Sequence, residues 1–170
     1  ITVNGYFGAD GLAPFIETAG DRGRGLFVLV RTSNPSAGRV QDVADADGTA
    51  LHERLAAEVA RLGDADGLVG ERGYSCVGAV VAATAPAEAR RLRAVMERQM
   101  FLVPGYGAQG ATAADCAAAF RGDGAGAIVN ASRSVLYAHE RDEYAGVGWE
   151  QAVERAARAF AGEIRGAVGG

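Results

Sequence analysis

Five short apolar runs, each followed by residues at helical spacing, constrain this chain more than any other feature. They cover residues 1–3, 26–30, 76–83, 100–103 and 126–129. The run at 26–30 is unbroken, as expected of a strand buried on both faces. Between the runs, Leu12, Phe15, Ile16 and Ala19 recur at helical spacing before Gly20, and Leu51, Leu55, Val59 and Leu62 before Gly63. Pro86 suits the first turn of a helix carrying Ala89, Leu92 and Met96. A last stripe holds Trp149, Val153, Ala157, Phe160, Ile164 and Val168. Strand then helix, five times over, predicts an α/β fold with a parallel sheet. In such folds the polar residues just past the strand C-termini build the site. Here those are Asn4, Ser33, Thr84, the loop 104–110 and residues 130–133. Because every strand end carries such a loop, a barrel is predicted rather than an open sheet.

The fourth run leads into Pro104 and a glycine-rich turn. Gly105, Gly107 and Gly110 allow tight turning and close approach of backbone N–H groups to a ligand. Thr112, with Asp115 three residues on, forms a capping box that opens an alanine-rich helix. A helix start beside glycine amides favours an anion. Arg133, delivered by the next strand, offers a bidentate contact to a phosphate. The spacing Gly105–Gly107–Gly110 also fits G-x-G-x-x-G, the dinucleotide pattern. That pattern calls for an acidic residue about 20 positions further on, where this chain has Asn130 and Ser132. A phosphate pocket is the better reading, and no G-x-x-x-x-G-K-[ST] motif occurs.

Composition narrows the chemistry. All 17 basic residues are arginine, so neither a Schiff base nor a lysine acid can come from this chain. The net charge of −4 argues against nucleic acid as a partner, and no apolar run is long enough to span a membrane. Cys76 and Cys116 are too few for a disulfide framework and read as small hydrophobes in a reducing cytoplasm.

Residues 2–8 (TVNGYFG), 29–35 (LVRTSNP), 77–84 (VGAVVAAT), 102–110 (LVPGYGAQG) and 126–133 (GAIVNASR) together resemble, in order, the orotidine 5′-phosphate decarboxylase family in its bacterial type 2 branch. The resemblance implies a (β/α)8 TIM barrel, with residues 1–170 forming the C-terminal part, strands 4 to 8, and the first three βα units lying outside this sequence. It implies a carbon–carbon lyase, converting orotidine 5′-phosphate to uridine 5′-phosphate (UMP) in pyrimidine biosynthesis without a cofactor or metal. By the same resemblance Gln109 and the backbone of Gly105, Gly107 and Gly110 hold the phosphate with Arg133. Ser33 binds the pyrimidine, Pro104 and Tyr106 wall the pocket, and Ser132 lies near the phosphate. The implied partners are the nucleotide, a second copy in a homodimer, and the absent half of the barrel. The family's D-x-K-x-x-D network has no counterpart here, so no catalytic residue is expected within these residues. The 170 residues acting alone are expected to be inactive. Two other readings stand beside this one: another phosphosugar or nucleotide enzyme on the same barrel, and a non-catalytic phosphate-binding chain.

Several residues also have plainer roles. Ser33 taken alone is a turn cap before Pro35, and Asn4 is either a site residue or a turn former. Asp45 and Asp47 fit a turn. His52, among charges on a helix, is expected at the surface, and Trp149 in the core. His139, beside Glu140, lacks a second His or Cys at ligand spacing. The polar stretch 36–48 is long enough to expect a role in function.

Overall fold

The structure, a computed structural model, describes residues 1–169. Its strands are β1 (Thr2–Asn4), β2 (Leu26–Arg31), β3 (Ser75–Val81), β4 (Gln99–Val103) and β5 (Ala127–Val129). They pair in sequence order, all parallel, as one sheet. The helices are α1 (Gly8–Asp21), α2 (Gly38–Gln41), α3 (Leu51–Gly63), α4 (Pro86–Val95), α5 (Ala113–Ala117), α6 (Arg133–Leu136) and α7 (Trp149–Val168). The expected alternation is therefore present, with its polar loops gathered at the C-terminal end of the sheet.

The core lies between one face of the sheet and the helices. Leu26, Val28 and Val30 of β2, Val77, Ala79 and Val81 of β3, and Phe101 and Val103 of β4 are buried there. Against them pack Leu12 and Ile16 of α1, Ala56 and Val59 of α3, and Ala89 and Leu92 of α4. The other face differs from expectation. Burial in β2 alternates, with Phe27 and Leu29 only half-buried, and Ile128 of β5 is 51% exposed. Five strands do not close on themselves, so this second face has no opposite wall among the described residues. No helix among them is long and apolar enough to cross a membrane.

Two expectations are corrected. His52 is 4% exposed, not solvent-facing. Its Nδ1 lies 2.8 Å from the Gln41 carbonyl, because α2, formed within a stretch that lacks periodicity, lies over that side of α3. Trp149 is 61% exposed, not core. The first turns of α7 pack through Ala152 and Ala156 on Ala138, and the indole, one turn earlier, lies outside that contact.

Candidate phosphate site

Six expected side chains meet. Ser33, Pro104, Tyr106, Gln109, Ser132 and Arg133, with Gly105, Ala108 and Asn130, line one cavity of about 220 Å³. The loops after β2, β4 and β5 supply them. Each strand ends where its pattern breaks, and the loops lean together over the sheet. At Gly105 φ is +111°, a region that side-chain-bearing residues rarely enter. A Cβ there would stand 3.1 Å from Thr84 Cγ2 and 3.5 Å from Ser33 Cβ. Glycine is what lets three loops close to this distance.

The glycine turn is held by its own backbone. Gly107 N–H donates to the Ala111 carbonyl at 2.9 Å, Ala111 N–H to Gly105 at 3.2 Å, and Gly110 N–H to Gly107 at 2.8 Å. The amides of Gly107 and Gly110 are thus engaged inside the loop, and neither residue lines the cavity. These glycines shape the turn, and the N–H groups of Ala108 and Gln109 have no hydrogen-bond partner among the described residues. The expected cap is present: Thr112 Oγ1 accepts from Asp115 N–H at 3.2 Å, and Asp115 Oδ2 accepts from Thr112 N–H at 2.9 Å. The helix it opens is only five residues long.

The loop carrying Ser33 is braced from below. Gln41 of α2 accepts from Thr32 N–H at 3.1 Å and donates to Thr32 Oγ1 at 2.8 Å. Arg31 pairs with Asp42 at 2.8 Å. The stretch 36–48 is thereby a support for the site. Asn4 stands apart: its Oδ1 accepts from Tyr6 N–H at 3.0 Å and caps the turn after β1. Asp45 is a turn former as expected, accepting from the N–H groups of Asp47 and Thr49.

Arg133 carries the only formal charge among the lining residues. It is exposed, and its guanidinium has neither ion pair nor hydrogen bond among the described residues. Tyr106 is the only lining side chain with an acidic proton in reach of ordinary titration. Its hydroxyl donates to Glu163, and burial, helped by that carboxylate, pushes its pKa up to about 12. A phenol so held is a poor proton donor at neutral pH. No group of three or more His, Cys, Asp or Glu among the described residues is placed to hold a metal. The cavity is suited to grip an anion and holds no residue that could perform acid–base chemistry by itself.

The model of the orotidine 5′-phosphate decarboxylase / HUMPS family matches residues 1–146. The chain belongs to that family. An orotidine 5′-phosphate decarboxylase of Deinococcus radiodurans is 46% identical over 169 residues, which covers 99% of this chain and 57% of that protein. One of Rhodopirellula baltica is 41% identical, covering 98% of this chain and 55% of that protein. The solved structure of Leishmania donovani OMP decarboxylase superposes with a TM-score of 0.76 at 28% identity, over 100% of this chain and 57% of the other. The sheet is thus part of a TIM barrel, and the chain spans just over half the length of these orotidine 5′-phosphate decarboxylases. The glycine turn and Arg133 both fall inside the residues matched by the family model. Helix α7 lies after them. Glu163, on that helix, is the site neighbour that sequence reasoning missed.

Proposed function

We propose that this chain supplies the phosphate and pyrimidine pocket of an orotidine 5′-phosphate decarboxylase. The reaction removes the carboxylate of orotidine 5′-phosphate and gives UMP, without a cofactor, in cytoplasmic pyrimidine biosynthesis. The observation that carries this reading is the 220 Å³ cavity whose single charge is Arg133. Two unpartnered loop amides and the Gln109 side chain complete a phosphate cradle. Ser33 lines the same cavity, and this reading gives it the base. Binding energy from the remote phosphate supports strain or desolvation at the reacting carbon.

The carbanion formed at that carbon still needs charge stabilisation and a proton. With no lysine in the chain, this reading assigns the Lys/Asp network to residues outside these 170. Residues 1–170 then correspond to strands 4 to 8 of the barrel, and the complete enzyme works as a homodimer. UMP formation by the complete protein, compared with its Ser33→Ala, Gln109→Ala and Arg133→Ala variants, tests the reading. Turnover that all three substitutions leave unchanged would sink it. The absent lysine favours a second reading for the 170 residues alone, which bind UMP and turn nothing over. Substantial turnover by that piece would overturn this second reading.

A further inference from the structure

Tyr106 is the one large side chain of the glycine turn, and it is held from outside the turn. It stands between Gly105 (φ +111°) and Gly107 (φ +67°). Neither neighbour has a side chain to fix the backbone, and Ala108 and Gln109 are exposed. What holds Tyr106 is α7. Its ring lies 4.8 Å from that of Phe160, tilted by 50°, a separation typical of a favourable aromatic pair. Its hydroxyl donates to Glu163, 57 residues further along the chain. Tyr106 also lines two cavities. One is the 220 Å³ phosphate site, and the other is an adjoining space of about 660 Å³, bordered by Arg133, Phe160 and Glu163. The hydroxyl end of Tyr106 therefore ties the turn to α7, while the same residue lines the phosphate site.

We propose that Glu163 is a positioning residue for phosphate binding. By accepting from Tyr106 it fixes the position of the turn against α7, and so of the Ala108 and Gln109 amides that would meet the anion. This inference rests on the phosphate-pocket reading. It extends that reading to a helix that the family match does not cover. The role requires a hydrogen-bond acceptor at position 163, and a charge there is not needed. The turn's own backbone bonds set its internal shape; without the anchor the ligand must fix where the turn stands over the site, and affinity falls by the cost of that placement.

The test is UMP affinity, measured by titration calorimetry on the complete protein. Glu163→Ala and Tyr106→Phe are each expected to weaken UMP roughly three- to tenfold, the worth of one hydrogen bond. The double variant is expected to be no weaker than either single one. Glu163→Gln, which keeps an acceptor, is expected to bind like the parent. Glu154→Gln, on the same helix and paired only with Arg158, serves as the control for the helix as such. Additive losses in the double variant, or a Glu163→Gln variant that binds as weakly as Glu163→Ala, would overturn the proposal. If Arg133→Ala weakens UMP while Glu163→Ala does not, the positioning role falls and the phosphate pocket stands. If UMP does not bind the parent protein, both fall together.

Discussion

Two arginines at opposite ends of the sheet make opposite use of the same side chain. Arg93, on α4, is 8% exposed and has no carboxylate partner among the described residues. It donates instead to four backbone carbonyls: Ala119 at 3.0 Å, Met96 at 2.7 Å, Gln99 at 2.8 Å and Gly126 at 2.8 Å. Its guanidinium carbon sits 3.5 Å from the centre of the Phe101 ring. Burial, with Arg121 nearby, lowers its pKa to about 10, so it keeps its charge at neutral pH. The carbonyls of Gln99 and Gly126 stand where β4 and β5 begin, so one side chain fastens both strands at their N-terminal ends. Arg133, just past the C-terminal end of β5, is exposed and has no partner among the described residues. A buried cation must have its donors satisfied by the protein. An exposed one keeps them for a ligand. The N-terminal end of the sheet is thus closed chemically, and the C-terminal end is left open.

The comparison breaks first at Arg93. Arg93→Ala removes four buried hydrogen bonds at about 1 kcal/mol each, although the Gly126 carbonyl keeps its bond from Phe101 N–H, so a loss of about 4 kcal/mol is expected in urea denaturation. A loss below about 1 kcal/mol would show that water replaces the guanidinium and that the N-terminal end is not closed. Arg133→Ala should do the reverse. UMP affinity is expected to fall about 10- to 100-fold, the worth of a charged hydrogen bond, while stability stays within about 0.5 kcal/mol. A matching drop in stability would erase the distinction between the two ends.

Gly105→Ala sits between these cases, since strain at φ +111° costs about 1–3 kcal/mol and also reshapes the cradle. Both denaturation and UMP titration should register it. Equal affinity in the variant would mean that the approach of Thr84 and Ser33 does not matter to the site. Thr112→Ala is the smallest, about 1 kcal/mol for a lost cap, and it depends on pH. The hydrogen bonds of Thr112 hold the Asp115 carboxyl below its ordinary range. The cap therefore contributes fully above the unfolded carboxylate pKa of about 3.9 and fades as pH falls through the lower folded value. The difference between variant and parent should shrink in acid, and a difference that grew in acid would contradict the assignment.

Much of this was legible because local signals and tertiary contacts agreed. The spacing of Leu51, Leu55, Val59 and Leu62 before Gly63 marks α3 to the residue. Ser33, Gln109 and Arg133 meet in one cavity because each follows a strand of one parallel sheet, and that geometry sends strand-end loops to a common side. What was not legible depended on partners far along the chain. The bond from Tyr106 to Glu163 joins a glycine turn to a charged helix face, and neither sequence pattern implies the other. His52 is buried by α2, a single turn of helix with no periodic signal of its own. Arg93 is one of three arginines within four residues of a charged run, and its neighbours give no hint that it alone turns inward.

The sheet's register has one more consequence. The pairing of β2 with β3 shifts between Leu29 and Arg31, and that of β3 with β4 between Ser75 and Ala79. In a flat, regular sheet, strands two apart lie about 10 Å from each other. Yet the loops after β2 and β4 bring Ser33 Cβ within 3.5 Å of where a Cβ at position 105 would stand. Each slip staggers one strand against the next, and stagger of this kind is how a ribbon of strands curls into a cup. The bite of the site is accordingly set partly by the pairings of β3 with its two neighbours, through residues that do not line the cavity. A single-residue insertion or deletion there is expected to alter the shape of the cavity although every lining residue is kept.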